Sequence, residues 1–121
     1  MTLTTNDQGN TGSGGARNDS DSVSINVTAA NDAPLNTVPG AQSMAEDATL
    51  VFSNGNGNPI SIADVDAASS PVQVTLSVTN GTLTLAGTGG LTFSTGDGTS
   101  DSSMVFTGTL ADVNAALNGL A

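Results

Sequence analysis

The sequence predicts an all-β protein, an antiparallel sandwich with one short C-terminal helix. Apolar and polar residues alternate with period two along several short segments, which is typical of strands that bury one face. Clusters of Gly, Asn and Asp, such as SNGNGNP and STGDGTSD, follow these segments and predict turns. Short strands at close spacing, separated by such turns, favour a sandwich.

The N-terminal part predicts a hairpin. TLTT, a glycine-rich loop and DSVSINVT follow one another, and Val23, Ile25 and Val27 alternate with polar residues in SVSINVT. Period two places these three side chains on one face, so the segment predicts a half-buried antiparallel strand. We expect residues 1–30 to be the closing hairpin of one repeat and residues 31–36 to be a linker.

Residues 37–121 predict the N-terminal part of the next sandwich repeat. The clearest strand is PVQVTLSVT, which has apolar residues at alternate positions. Shorter segments with strand character are 49–52, 60–63, 83–85, 91–93 and 104–106. Because a closing hairpin comes first and a helix comes last, we expect the ends of the chain to fall inside two successive repeats.

The segment TLADVNAALNGLA departs from the period of two. Leu110, Val113 and Leu117 recur at helical spacing. Thr109 precedes Asp112 by three residues, which resembles a capping box, and a glycine follows the periodic residues. The segment therefore predicts a short helix.

Composition limits the partners of this chain. Its 121 residues carry 11 acidic groups and a single basic one, Arg17, for a formal net charge of -10. Binding to nucleic acid or to an anionic membrane depends on Lys and Arg, so neither partner is expected. No apolar run approaches the ~20 residues of a membrane-spanning helix, and MTLTTNDQGN lacks the basic start and apolar stretch of a signal peptide. If the protein is exported, we expect the signal elsewhere in a longer parent chain.

Catalysis is not expected. His, Cys, Lys and Tyr are absent, which removes the usual general bases and most activated nucleophiles. Paired carboxylates remain, as in glycosidases, but three Phe residues provide few aromatic side chains for a substrate pocket. The core must also be thin, because Leu, Ile, Val and Phe together supply 26 residues. We therefore expect a protein that is not an enzyme and whose stability from burial is modest.

Three short motifs resemble the cadherin-like, immunoglobulin-like tandem repeats of large bacterial surface adhesins, the extender repeats of RTX-type adhesins. They are SMAEDATL, ISIADVDA and the linker motif ANDAP. The resemblance covers most of the chain and depends on the order and spacing of these motifs. It implies a cadherin-like sandwich, an extracellular location and Ca²⁺ at the junctions between repeats.

The resemblance also implies a ligand set. Asp32 of the linker, Asp64 and Asp66 of ADVDA, and Glu46 of AED match calcium-binding positions, and the carbonyl of Asn31 is a further candidate. Ala29 and Ala33 replace an acidic residue and an Asn of the fuller linker motif, which implies fewer or weaker ions. On their residues alone, Asp64 and Asp66 could equally be solvated turn residues, NDAP a turn that ends in proline, and Glu46 an exposed charge.

Three functions remain open at this point. The first is a structural extender repeat in cell adhesion or biofilm formation, stiffened by Ca²⁺ and partnered by neighbouring repeats. The second is an extracellular filament whose identical subunits join head to tail by β-strand complementation. The third, recognition of a host or surface ligand, is ranked last because the chain has no Trp or Tyr for sugar stacking.

Overall fold

The computed structural model describes residues 1–10 and 12–121, which divide into two compact units. Unit 1 is Met1–Ala30 and unit 2 is Asn31–Ala121. Unit 1 contains an antiparallel hairpin of β1 (Thr2–Asn6) and β2 (Asn18–Ser22). The division between the units falls where the sequence predicts the end of the hairpin; the assignment of the two parts to successive repeats stays a prediction.

The predicted strand SVSINVT does not form, and the prediction is wrong in its position. The second strand of the hairpin is NDSDS, Asn18–Ser22, which pairs with Thr2–Asn6 and ends before SVSINVT has alternated once. Met1 and Val23 exchange two backbone hydrogen bonds of 2.9 and 3.0 Å, and residues 24–28 have no backbone partner in the described part of the chain. Val23, Ile25 and Val27 are consequently 50%, 70% and 88% exposed.

The carboxylate of Asp7 organises the loop of the hairpin. Its Oδ1 accepts backbone hydrogen bonds from Arg17 at 2.8 Å and from Gly9 at 2.9 Å. Hydrogen bonds to the charged form favour ionisation. The backbone N–H of Arg17, followed by that of Gly9, therefore holds the pKa of Asp7 below its ordinary value of 3.8.

This arrangement predicts an acid-sensitive hairpin. Since the pKa of Asp7 is lower in the folded hairpin than in the unfolded chain, its contribution is present above pH ~4 and is lost as the pH falls through the folded pKa. We expect an NMR titration to place the midpoint of the Asp7 carboxyl below 3.8, with the amide shifts of Gly9 and Arg17 following the same curve. In Asp7→Asn, which keeps an acceptor oxygen, these two amides should no longer titrate together. An ordinary midpoint in the wild type would contradict the hydrogen-bonding scheme.

Unit 2 contains two antiparallel sheets and one helix. The first sheet pairs β3 (Leu35–Thr37) with β4 (Ser61–Ala63). The second has the order β5-β7-β6, formed by β5 (Val72–Ser77), β6 (Thr92–Thr95) and β7 (Ser103–Gly108). The helix α1 (Leu110–Leu117) follows β7. β3 begins inside the segment that the sequence predicts as a linker.

Most of the predicted elements of unit 2 are confirmed. PVQVTLSVT gives β5, the segments 60–63, 91–93 and 104–106 give parts of β4, β6 and β7, and the helix is present. The segments 49–52 and 83–85 form only the isolated bridges Phe52 to Leu120 and Leu83 to Asp101. The protein is thus mostly β, with antiparallel sheets and one short helix. No helix of the described residues is long and apolar enough to cross a membrane.

The helix begins and ends as its sequence predicts. The backbone N–H of Asp112 donates to Thr109 Oγ1 at 3.3 Å, and the Thr109 hydroxyl donates to the Asp112 carboxylate at 2.7 Å. Gly119, with a φ of 127°, lies in the left-handed region that favours glycine after a helix. A Cβ at this position would also lie 2.8 Å from the Cβ of Ala86. Thr109 and Gly119 therefore fix both ends of the segment.

The core of unit 2 lies between the helix and the sheets. Eight hydrophobic residues are buried: Val74, Leu85, Met104, Phe106, Val113, Ala116, Leu117 and Leu120. Phe106 and Met104 are fully buried on β7, and the rings of Phe106 and Phe93 lie 5.4 Å apart. This small cluster confirms the prediction of a thin core.

Candidate functional site

Asp66 of the ADVDA motif contacts the start of unit 2. The backbone N–H of Asp32 donates to Asp66 Oδ2 at 2.5 Å, which joins residues that are 34 positions apart. The pairing of Leu35 with Ala63 at the adjacent ends of β3 and β4 brings these two segments together. The structure therefore unites two of the sequence motifs on which the predicted calcium site depends.

Asp64 shapes the loop that carries Asp66. Its Oδ1 accepts hydrogen bonds from the backbone N–H groups of Asp66 at 2.8 Å and Ala67 at 2.9 Å. Asp side chains commonly close turns in this way. Asp64 is half-buried, whereas Asp32 and Asp66 are exposed. The turn role that the sequence allows for Asp64 is thus present in the structure.

The other two candidate ligands are placed differently. The Asn31 side chain donates to the carbonyl oxygen of Asp32 at 3.2 Å, so it lies beside Asp32 at the start of unit 2. Glu46 is exposed in a turn closed by the hydrogen bond from Ala48 N–H to Ala45 O, at 3.2 Å. Neither Glu46 nor its turn has a hydrogen bond to Asp32, Asp64 or Asp66 in the described part of the chain.

The chemistry of these groups suits a hard cation, but they do not form a cage. Ca²⁺ takes 6–8 oxygen ligands, and carboxylates are its preferred protein ligands. Across residues 1–10 and 12–121, no three acidic side chains are grouped closely enough to hold a metal ion. Asp66 uses one oxygen for the Asp32 N–H, and a carboxylate has about four acceptor positions, so Asp66 keeps capacity for a cation.

The acidic tip between β6 and β7 is a turn, as its sequence predicts. Asp101 Oδ2 accepts hydrogen bonds from the backbone N–H groups of Asp97 at 3.0 Å and Gly98 at 2.8 Å. Asp97 Oδ1 accepts one from Thr99 at 2.9 Å. These contacts explain the Asp and Gly residues of STGDGTSD by backbone geometry.

The sequence does not predict a surface groove that lies beside β5. A groove, called the edge groove below, lies along the β5 strand of unit 2 and has a volume of about 240 Å³. Its walls include residues 72–76 of β5, Ile60 and Ile62, and Leu117 of α1. The alternation in PVQVTLSVT indicates a strand but not whether that strand has one neighbour or two, so the sequence carries no signal for this groove.

The sequence also does not predict a pair of hydrogen bonds that joins the helix to β4. The Asn114 side chain accepts the N–H of Ile62 and donates to the carbonyl oxygen of the same residue, both at 2.8 Å. A signal existed, since Asn is unfavourable inside a helix unless its side chain has a partner.

Comparison with known proteins gives no relative: no family model, no curated protein and no solved structure matches this chain.

Proposed function

We propose that this chain is a structural extender segment of an extracellular bacterial repeat protein, without catalytic activity, that uses Ca²⁺ to stiffen the start of unit 2. The observation that carries the proposal is the hydrogen bond between Asp32 N–H and Asp66 Oδ2. It ties the residue that follows the unit boundary to the ADVDA loop. A cation at this place would fix the first residues of unit 2 to the ADVDA loop of the same unit.

Charge supports the same proposal. The Asp66 carboxylate meets the Asp32 backbone in a chain whose net charge is -10. A bound divalent cation would replace carboxylate repulsion with coordination, which favours the compact form. The ligands available are Asp32, Asp66, the second oxygen of Asp64 and the Asn31 carbonyl, and Glu46 would join only from another turn. Such a site is weaker than a full cage.

We extend the proposal to the fold: unit 2 is part of a cadherin-like sandwich. Two antiparallel sheets and a helix enclose one hydrophobic core, and β5 is an edge strand of the sheet of three strands. A sandwich repeat would cover this edge with further strands. The resemblance of SMAEDATL, ISIADVDA and ANDAP to adhesin repeats supports the same fold.

Thermal unfolding with and without Ca²⁺ tests the calcium proposal. A site with a Kd of ~10⁻⁴ M in millimolar Ca²⁺ contributes about 1.4 kcal/mol. For a unit of this size we expect a rise in Tm of roughly 6–10 °C, reversed by EGTA. Because any divalent ion screens the net charge, Mg²⁺ at the same concentration measures the non-specific part of the shift.

Asp66→Asn is the informative variant. It keeps an oxygen that can accept the Asp32 N–H but removes the charge, so we expect the Ca²⁺-specific shift to disappear while the fold remains. Asp19→Asn removes an equal charge from β2 of unit 1 and is the matched control, expected to respond like the wild type. Equal shifts with Ca²⁺ and Mg²⁺, or an unchanged response in Asp66→Asn, would reject the calcium site.

A second candidate function, self-assembly into a filament, is favoured by the exposed segment 22–28. Val23, Ile25 and Val27 remain largely exposed although they alternate as strand residues do. Because these three side chains are already partly covered, completing their burial is worth roughly 3–6 kcal/mol, against association costs of about 4–15 kcal/mol. Assembly should therefore depend on concentration, and light scattering over a concentration series tests it. A monomer at every concentration would reject this function.

A further inference from the structure

We propose that the edge groove of unit 2 binds the segment 22–28 of a second copy as an added β-strand alongside β5. The inference rests on the second candidate function, self-assembly, and names its donor and acceptor. Each copy would then donate one strand and accept one. Repetition of such a head-to-tail contact gives a ring if it closes and a filament if it does not.

The acceptor is the unpaired side of β5. The strand order β5-β7-β6 leaves β5 with one neighbour among the described residues. Val78 N–H donates to Ser102 O at 2.9 Å, and in an antiparallel ladder the residues that bond to the partner strand alternate with those that face away. With the observed register, the backbone N–H and C=O groups of Gln73, Thr75 and Ser77 face away from β7. These groups form a template for one more strand.

The edge groove has the shape that an extended chain requires. Five consecutive residues of β5, from Val72 to Leu76, line it, so the groove follows the edge of the strand rather than one face. Ile60, Ile62 and Leu117 supply an apolar wall. Its form therefore favours a peptide strand over a compact ligand.

The donor matches this edge in length and pattern. Seven residues in a strand span about 23 Å, and the six residues of β5 span about 20 Å. Residues 24–28 are exposed and have no backbone partner in the described part of the chain. Their alternation would turn Ile25 and Val27 toward the apolar wall of the edge groove and leave Ser24 and Asn26 in solvent.

Charge also favours a second copy as the occupant. Two chains with a net charge of -10 repel each other, so they can meet closely only through neutral surfaces. The donor is uncharged from Ser22 to Thr28, and every residue that lines the edge groove is uncharged. Donor and acceptor are thus complementary as neutral patches on an otherwise strongly acidic molecule.

Two variants of the full chain separate donor from acceptor. Ile25→Asp places a charge in the donor and leaves the edge groove intact. Thr75→Pro removes an outward-facing N–H from β5 at an edge position, where proline is tolerated, and leaves the donor intact. Leu3→Asp is the matched control, because Leu3 is exposed by 65% in the same unit as Ile25 but lies on β1.

Sedimentation velocity over a concentration series gives the first readout. We expect the wild type and Leu3→Asp to form species larger than a dimer, and Ile25→Asp and Thr75→Pro to stay monomeric when alone. An equimolar mixture of the two should form a heterodimer and nothing larger, because a single functional donor meets a single functional edge groove. Monomers in the mixture would overturn the inference, because the donor of Thr75→Pro and the edge groove of Ile25→Asp are both intact. Retained hydrogen-exchange protection of β7 in Thr75→Pro shows that the proline removes the edge contact and not the fold.

Hydrogen exchange of the assembled wild type gives the second readout. We expect the amides of Gln73, Thr75 and Ser77 and those of residues 24–28 to gain at least tenfold protection over the monomer. Large species without this protection would overturn the inference while self-assembly stands. A wild type that is monomeric at every concentration would overturn both. A peptide of sequence SVSINVT that fails to compete with assembly, when its Ile25→Asp version also fails, would overturn the inference as well.

Discussion

Replacement of Phe106 by alanine is expected to cost about 3–5 kcal/mol and to unfold most of unit 2. Phe106 is fully buried on the central strand β7 and contacts Phe93 at a ring-centre distance of 5.4 Å. The buried core contains eight hydrophobic residues, so little packing remains to compensate for the cavity. Since ordinary domains are stable by about 5–15 kcal/mol, the loss is a large part of the total.

Urea unfolding followed by circular dichroism measures this loss, and NMR separates the two units. We expect the methyl resonances of Val113 and Leu117 to lose their dispersion in Phe106→Ala, whereas the amides of the β1–β2 hairpin stay unchanged. Met44→Ala is the matched control, because Met44 is 54% exposed and should change stability by less than about 1 kcal/mol. A loss below 1 kcal/mol in Phe106→Ala would show that β7 is not central to the core.

Asn114→Ala is expected to cost roughly 2–4 kcal/mol, more than an ordinary helix-surface substitution. Asn114 satisfies both the N–H and the C=O of Ile62, each at 2.8 Å, in a half-buried environment. Without it, two backbone groups lose their partner, and each such loss costs about 1–3 kcal/mol. The favourable helix propensity of alanine offsets less than about 1 kcal/mol of this.

Asn118→Ala, at the C-cap of the same helix, is the control for Asn114. Its Oδ1 accepts one hydrogen bond, from Asn54 N–H at 2.9 Å, in an exposed position. We expect a loss of about 0.5–1.5 kcal/mol in this variant. The midpoints of urea unfolding, analysed with a common m-value, compare the free energies of unfolding of the two variants. The amide exchange of Ile62 should accelerate in Asn114→Ala alone. Equal losses in both variants would mean that the contact between Asn114 and Ile62 adds no stability of its own.

The sequence predicts an element well where local chemistry suffices to define it. Thr109 and Gly119 mark the ends of the helix because a cap and a left-handed residue depend on a few neighbouring atoms. The strands β5 and β7 follow from alternation, since each has a buried face along its length. In these elements the local sequence pattern and the packing of the core favour the same secondary structure.

Alternation alone does not supply a pairing partner, and this explains the failures. The segment SVSINVT has the pattern of a strand, but beyond the pair of Val23 and Met1 its residues have no backbone partner in the described part of the chain. The segments 49–52 and 83–85 each reach a partner through one bridge. In all three segments the alternating side chains favour a strand, but the backbone hydrogen bonds of a sheet also need a partner strand from a distant part of the sequence.

At the candidate calcium site, too, residue types and their order do not determine how the side chains are arranged. The order of motifs predicts that Asp32 and Asp66 belong together, and a hydrogen bond of 2.5 Å from the Asp32 backbone N–H to the Asp66 carboxylate joins them. It did not reveal that Asp64 is engaged with Asp66 and Ala67 backbone groups, or that Glu46 occupies a separate turn. Ligand chemistry is readable from residue types, but the direction of each carboxylate is set by its loop.

The contact between Asp32 and Asp66 also determines how tension would enter unit 2. A pull on the chain from its N-terminal side reaches Asp32 first and then the three paired residues of β3, which would open one after another as a zipper does. The next backbone anchor is Phe52, bonded to Leu120 and Gly119 at 2.8 Å each. Rupture of the first contact, of β3 and of the bond from the Asn58 side chain to Gln42 Oε1 at 3.1 Å would free residues 32–52, whose fully extended length is roughly 70 Å, before force reaches the core. The hydrogen bond between Asp32 and Asp66 is thus the first contact that must break under tension. A cation bound there would raise the force needed to extend residues 32–52.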